Sequence, residues 1–131
     1  MKTLIVEDDF TSRLLLQELL KDYGPCFTAV TGVEAVLATK AALETDEPYD
    51  LICMDIMMPE MDGRAALKAI REQEEARGIR STIGSKIVMT TALTDGPNVF
   101  GAFHELCDGY LFKPIAKEKL LETLRSLNLI A

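Results

Sequence analysis

The sequence predicts an α/β protein: a doubly wound, five-stranded parallel sheet with helices on both faces. Three observations lead there. Short apolar runs of strand length alternate five times with segments of helical period, and such βα alternation implies parallel strands joined by right-handed crossovers. The runs are apolar throughout rather than alternating, as strands covered on both faces must be. At 131 residues and 48% hydrophobic composition, the chain has the size of one domain and enough apolar surface for a real core.

The first run, Leu4-Ile5-Val6, reads as a strand, and Leu14, Leu15, Leu19 and Leu20 follow at helical spacing until Tyr23-Gly24-Pro25 stops them. Phe27 to Val30 forms the second strand, closed by Thr31-Gly32. Val33, Val36, Leu37 and Ala41 mark a second helix that fades in the polar stretch Glu44 to Glu47. Tyr49 to Met54 is the third strand and ends on Asp55. The turn chemistry of Met58-Pro59-Glu60-Met61-Asp62-Gly63 follows, with Asp62 placed to cap the next helix. Ala66, Leu67 and Ile70 form the inner stripe of that helix, and Arg71 to Arg77 give it a strongly charged outer face. After the polar loop Gly78 to Ser85, Ile87-Val88-Met89 is the fourth strand, trailed by Thr90-Thr91. Asp95-Gly96-Pro97 opens a fourth helix, because proline suits a first turn. Gly109 to Phe112 is the fifth strand, ended by Lys113-Pro114, and Leu120, Leu121, Leu124 and Leu127 stripe a fifth helix. No linker or repeat interrupts the pattern, so residues 1–131 are read as a single domain with no output domain.

Bulk properties exclude several classes. A net charge of −7 opposes direct binding to nucleic acid, whose phosphates select Lys/Arg surplus, and to anionic membrane surfaces. No apolar run approaches the roughly 20 residues of a membrane span. The start, MKTLIVEDD, is too short in its apolar part and too acidic behind it for a signal peptide. Cys26, Cys53 and Cys107 are odd in number and lack metal spacing, so they read as free buried thiols in a reducing compartment. A cytoplasmic location is expected.

Chemistry concentrates where an apolar sheet does not want polar residues. Glu7, Asp8 and Asp9 follow the first strand, Asp55 ends the third, Thr91 the fourth and Lys113 the fifth. Ligands of open α/β sheets bind beyond the carboxyl ends of the strands, where the strand order reverses. In the order 2-1-3-4-5 strands one and three are neighbours, and the carboxylates of Asp8 and Asp55 converge. Converging carboxylates repel unless a cation joins them, and a hard, oxygen-seeking Mg2+ fits best. Asp9 reads instead as a cap for the helix beginning near Thr11, whereas Asp55, directly behind Leu51-Ile52-Cys53-Met54, lies where an unpaired charge is costly.

The strings IVEDD, MDIMMPEMDG, MTTA and YLFKP, in this order and at strand ends, resemble the four signature regions of the response-regulator receiver family of two-component signalling, chemotaxis regulators among them. The resemblance covers essentially the whole chain. It implies the flavodoxin-like strand order 2-1-3-4-5 and a phosphoprotein of two-component phosphorelay signalling rather than an enzyme. Asp55 matches the phosphoacceptor, and Glu7 and Asp8 match the metal pair, with Asp8 the direct ligand and Glu7 acting through water. Met57 would offer its backbone carbonyl to the metal. Thr91 matches the switch hydroxyl, with the small Ala92 beside it, Tyr110 the aromatic switch, and Lys113 the lysine that pairs with phosphoryl oxygens. The Lys113–Pro114 bond is expected to be cis, which only X-Pro bonds adopt readily. The implied phosphoryl donor is a histidine kinase or histidine phosphotransfer protein. The implied target is a partner protein met through the face of helix four, strand five and helix five, by a stand-alone receiver that is a monomer or weak dimer.

Two departures sharpen the reading. Leu106 stands where the family usually has a glycine at the end of helix four, so that helix is expected to end differently. Met57 and Leu93, apolar where the phosphoryl group is approached, are expected to hinder attacking water and prolong the phosphorylated state. His104, in helix four, reads as a surface residue. Three rivals are weighed. An aspartate-dependent phosphohydrolase needs a second acid where Met57 stands. A flavodoxin-like cofactor site needs a phosphate-cradling loop where the three acids stand. A phosphate-independent pseudo-receiver would not need Glu7, Asp8, Asp55, Thr91 and Lys113 together.

Overall fold

Extended runs satisfy their backbone groups by pairing with one another, and five of them do so here, the three central ones buried on both faces and the two edge ones only partly. The computed structural model describes residues 1–58, 60–80, 83–92 and 106–131. The strands are β1 (Thr3–Val6), β2 (Cys26–Ala29), β3 (Leu51–Asp55), β4 (Lys86–Thr91) and β5 (Gly109–Phe112). They form one parallel sheet in the order β2-β1-β3-β4-β5. The register sets Val6 beside Met54, Asp55 beside Thr90, and Thr91 beside Phe112. The helices are α1 (Phe10–Leu20), α2 (Gly32–Glu44), α3 (Gly63–Ala76) and α4 (Lys117–Ser126). The expected segment opened by Asp95-Gly96-Pro97, together with Leu93 and His104, lies outside the described residues.

Strand alternation divides the interior into two layers. Leu4, Val6, Ile52, Met54, Ile87 and Met89 pack with Ala35 of α2 and Leu67 and Ile70 of α3. Ile5, Leu51, Cys53, Val88 and Leu111 pack with Leu16 and Leu20 of α1 and Leu120 and Leu124 of α4. The sheet is therefore doubly wound, as predicted. Asp9 and Asp62 cap α1 and α3 as predicted, accepting from the Ser12 and from the Arg64 and Ala65 backbone N–H groups.

Three helical faces differ from expectation. In α1 the inner residues are Leu16 and Leu20, while Leu14 and Leu15 are 47% and 40% exposed. With leucines at six of the positions from 4 to 20, apolar periodicity admits more than one stripe, and only the packing partner selects it. In α2 the buried face is Ala35, Thr39 and Ala42, and Val33 and Leu37 face outward. Small residues let α2 lie close against α3, and the Thr39 hydroxyl donates to the Ala35 and Val36 carbonyls, which satisfies it there.

The third correction concerns α3, where Arg71 and Glu74 are buried rather than on the outer face. Arg71 donates to Glu74 Oε1 at 2.7 Å, Ser85 O at 2.8 Å, Leu106 O at 2.8 Å and Asp108 Oδ2 at 2.9 Å. Asp108 and Glu74 also accept from the Ile87 and Ser85 backbone N–H groups. This clamp joins α3, the start of β4 and the turn into β5 at the end of the sheet opposite the acids. The three cysteines are free as expected, but only Cys53 is fully buried, and Cys26 and Cys107 are partly exposed.

Candidate functional site

β1 hands its direction on to Glu7, whose N–H continues the ladder by donating to Ala29 O at 3.0 Å. The Glu7 side chain is 1% exposed, whereas Asp8 faces solvent. Asp9 turns away as the α1 cap, accepting from the Ser12 N–H and hydroxyl at 2.9 and 2.8 Å, and these bonds hold its carboxyl below the usual range. The third acid is thus engaged locally, and the first two are left to the site.

Asp55 is the last residue of β3 and is 4% exposed. It follows Leu51 and Cys53 onto the sheet face covered by α1 and α4. The start of α3 closes over its backbone: Gly63 N–H donates to Ile56 O at 2.7 Å. A Cβ at Gly63 would overlap the Asp55 carbonyl oxygen, so only glycine permits this approach. From β5, Lys113 donates its N–H to Thr91 O at 2.8 Å, and the following bond to Pro114 is cis, as expected. Its ammonium lies 2.9 Å from Glu7 Oε2 and 3.3 Å from Asp55 Oδ1.

Carboxylate oxygens of Glu7, Asp8 and Asp55 lie within 4.8 Å of one another. Three carboxylates against one ammonium leave surplus negative charge in a partly dry site. Burial, and then the charge of Glu7, push the Asp55 carboxyl up to about 7 despite the opposing attraction of Lys113. Burial works to lower the Lys113 ammonium, but the short contact with Glu7 and the charges of Asp55 and Glu7 outweigh it and raise it. A buried carboxylate destabilised by its neighbours, with an all-oxygen donor set, fits a hard divalent cation.

The structure places the remaining expected residues in two groups. Met57, two residues after Asp55, is 55% exposed at the mouth of the site. Thr91 is fully buried but alternates with Thr90, so it belongs to the other face of the sheet, that of Met89. Tyr110 is the ladder partner of Met89 and packs on that same face, diagonal to Thr91. Sequence reasoning passed over Thr90. It is the ladder partner of Asp55 and shares its face. Strand parity combined with the parallel register identifies it, and register is not visible in one strand's sequence.

This geometry agrees with the comparisons. The chain belongs to the response regulator receiver domain family, whose model matches residues 3–125. Among sequence relatives, the sensor histidine kinase GacS of Pseudomonas protegens is 36% identical over 123 residues, covering 94% of this chain but only 13% of that protein. The chain therefore spans a small part of such kinases, and it is homologous to their receiver portion. Among solved structures, the receiver domain of the histidine kinase CKI1 from Arabidopsis thaliana, complexed with Mg2+ and BeF3-, is 26% identical with a TM-score of 0.80, covering 97% of this chain and 89% of that one. The receiver domain of a sensor histidine kinase from Pseudomonas aeruginosa, with a magnesium ion in its active-site cleft, is 25% identical with a TM-score of 0.76, covering 97% of each chain.

Proposed function

We propose that this receiver accepts a phosphoryl group on Asp55 from the phosphohistidine of a kinase or phosphotransfer protein, in a Mg2+-dependent reaction. It then relays the change to a partner protein in trans. The observation that carries the reading is the placement of a buried Asp55 carboxylate between two further acids and the Lys113 ammonium. Asp8, Asp55 and the Met57 backbone carbonyl would hold Mg2+, whose positive charge would offset that of the carboxylates and of the phosphoryl oxygens. Glu7 is engaged by Lys113 and by the Asp9 N–H at 3.2 Å, which supports a role for it through water rather than as a direct ligand. Asp55 supplies the attacking oxygen, so its O–P bond forms as the P–N bond to the donor imidazole breaks, and the imidazole takes up a proton. Lys113 pairs with the phosphoryl oxygens.

The Thr91 hydroxyl donates to Ala92 O at 3.2 Å. A phosphoryl group on Asp55 offers it a charged acceptor, and drawing it inward changes the space beside Tyr110 on their shared face. The surface behind this pair, lined by Tyr110, Phe112, Pro114, Lys119 and Glu122, forms a cleft of about 450 Å3 in which a partner protein would read the change. Among the described residues no helix is long and apolar enough to cross a membrane, and we place the domain in the cytoplasm with its donor. Acetyl phosphate with Mg2+ tests the reading by mass spectrometry. One phosphoryl group should be gained by the wild type and none by Asp55→Ala. No gain in the wild type favours a phosphate-independent interaction module.

A further inference from the structure

Thr90 carries a buried hydroxyl that the receiver reading gives no task. The residue is 1% exposed, and its Oγ1 has no hydrogen-bond partner among the described residues. A buried hydroxyl in that state is costly and rare, and each case calls for a partner. Strand parity directs Thr90 to the side of Val88, the layer of α1 and α4. A cavity of about 190 Å3 lies there, walled by Leu15, Leu16 and Ile115 and reaching Glu7, Thr90 and Lys113. It has room for water, which takes about 30 Å3 in the liquid.

Two groups of the site face the same space. Lys113 has three ammonium protons and two described ion-pair contacts, Glu7 Oε2 at 2.9 Å and Asp55 Oδ1 at 3.3 Å, so at least one proton is left for a further acceptor. Glu7 Oε2 meets that ammonium as an ion pair without hydrogen-bond alignment, so it too keeps a lone pair available. A water in this cavity therefore has three polar neighbours, the number an internal water typically satisfies. Asp55 stands one strand away from Thr90 in the ladder, about 4.8 Å across the sheet.

We propose that Thr90 is a positioning residue: through a water retained in this cavity, its hydroxyl completes the hydrogen bonding of Lys113 and Glu7 and holds the ammonium over Asp55. The inference rests on the proposed phosphoacceptor role of Asp55. It adds a hydroxyl on the acceptor's own face, distinct from Thr91 on the other. Threonine carries a γ-methyl beside its hydroxyl, so the two groups can be removed separately.

Thr90→Val keeps the shape and removes the hydroxyl, whereas Thr90→Ser keeps the hydroxyl and removes the methyl. Two measurements are made on each: the rate of phosphorylation by acetyl phosphate at saturating Mg2+, and the order of the Lys113 ammonium by 15N relaxation without any phosphoryl donor. With one net hydrogen bond at stake, Thr90→Val should react about fivefold more slowly with a more mobile ammonium, and Thr90→Ser should stay within about twofold of wild type. Wild-type behaviour of Thr90→Val in both measurements overturns the proposal. So does a Thr90→Ser variant as slow and as mobile as Thr90→Val, because the methyl would then be the group that matters. If the wild type takes no phosphoryl group, the phosphoacceptor reading fails, and the relaxation measurement still decides the role of Thr90.

Discussion

Replacing Asp55 by asparagine should make the metal-free protein more stable, and increasingly so as the pH rises. The carboxyl titrates near 3.8 in an unfolded chain and at about 7 in the folded one, because burial and Glu7 disfavour its charge. A raised folded value means that the native state holds the proton more tightly. Stability contributed by the protonated form is fully present below about pH 4 and is lost progressively up to about pH 7. An asparagine amide has nothing to titrate and escapes this loss. Between pH 5 and pH 8 the wild type should lose about 2–3 kcal/mol relative to Asp55→Asn, at 1.36 kcal/mol for each pH unit up to the folded value. For 131 residues the unfolding entropy is about 0.28 kcal/mol/K, so the gap in Tm should widen by about 7–10 °C. Thermal melts followed by circular dichroism in EDTA at pH 5, 6, 7 and 8 measure it. Millimolar Mg2+ should raise the wild-type Tm at pH 8 and leave Asp55→Asn nearly unmoved. A gap that stays constant across this range, or narrows toward pH 8, refutes the argument that the Asp55 carboxylate is electrostatically strained.

Two further outcomes are expected. Arg71→Met removes the only cation joined to the buried Glu74 and to Asp108 among the described residues; urea denaturation should show a loss of about 3–5 kcal/mol, and a loss below about 1 kcal/mol would show the clamp to be dispensable. Met57→Asn combined with Leu93→Glu should accelerate dephosphorylation, measured by loss of the phosphoryl label after removal of the donor; an unchanged half-life contradicts the expectation that these apolar side chains hinder attacking water.

Much of this molecule is legible in one sequence because its signals are local. Apolar runs such as Leu51 to Met54 announce buried strands, Asp9 and Asp62 announce helix starts, and polar residues at strand ends announce the site. Their order along the chain is enough to bring Glu7, Asp8, Asp55 and Lys113 together once the sheet order is known. Helix faces were less legible. Leu14 and Leu15 are as apolar as Leu16 and Leu20, and the choice among them depends on what packs opposite. Arg71 looks like part of a charged surface because the groups that make its burial tolerable, Ser85, Leu106 and Asp108, are 14 to 37 residues away.

Fold class, strand ends and the identity of the acids and the lysine could all be read from the linear chain, since each follows from a residue's own chemistry and its near neighbours. Which alternate residues share a face could not, because that depends on how separate strands align. Parallel register sets Thr90 beside Asp55 and sends Thr91 to the side of Tyr110. Burial between Glu7 and Lys113, a property of three distant strand ends meeting, is what turns Asp55 from an ordinary carboxylate into a strained one.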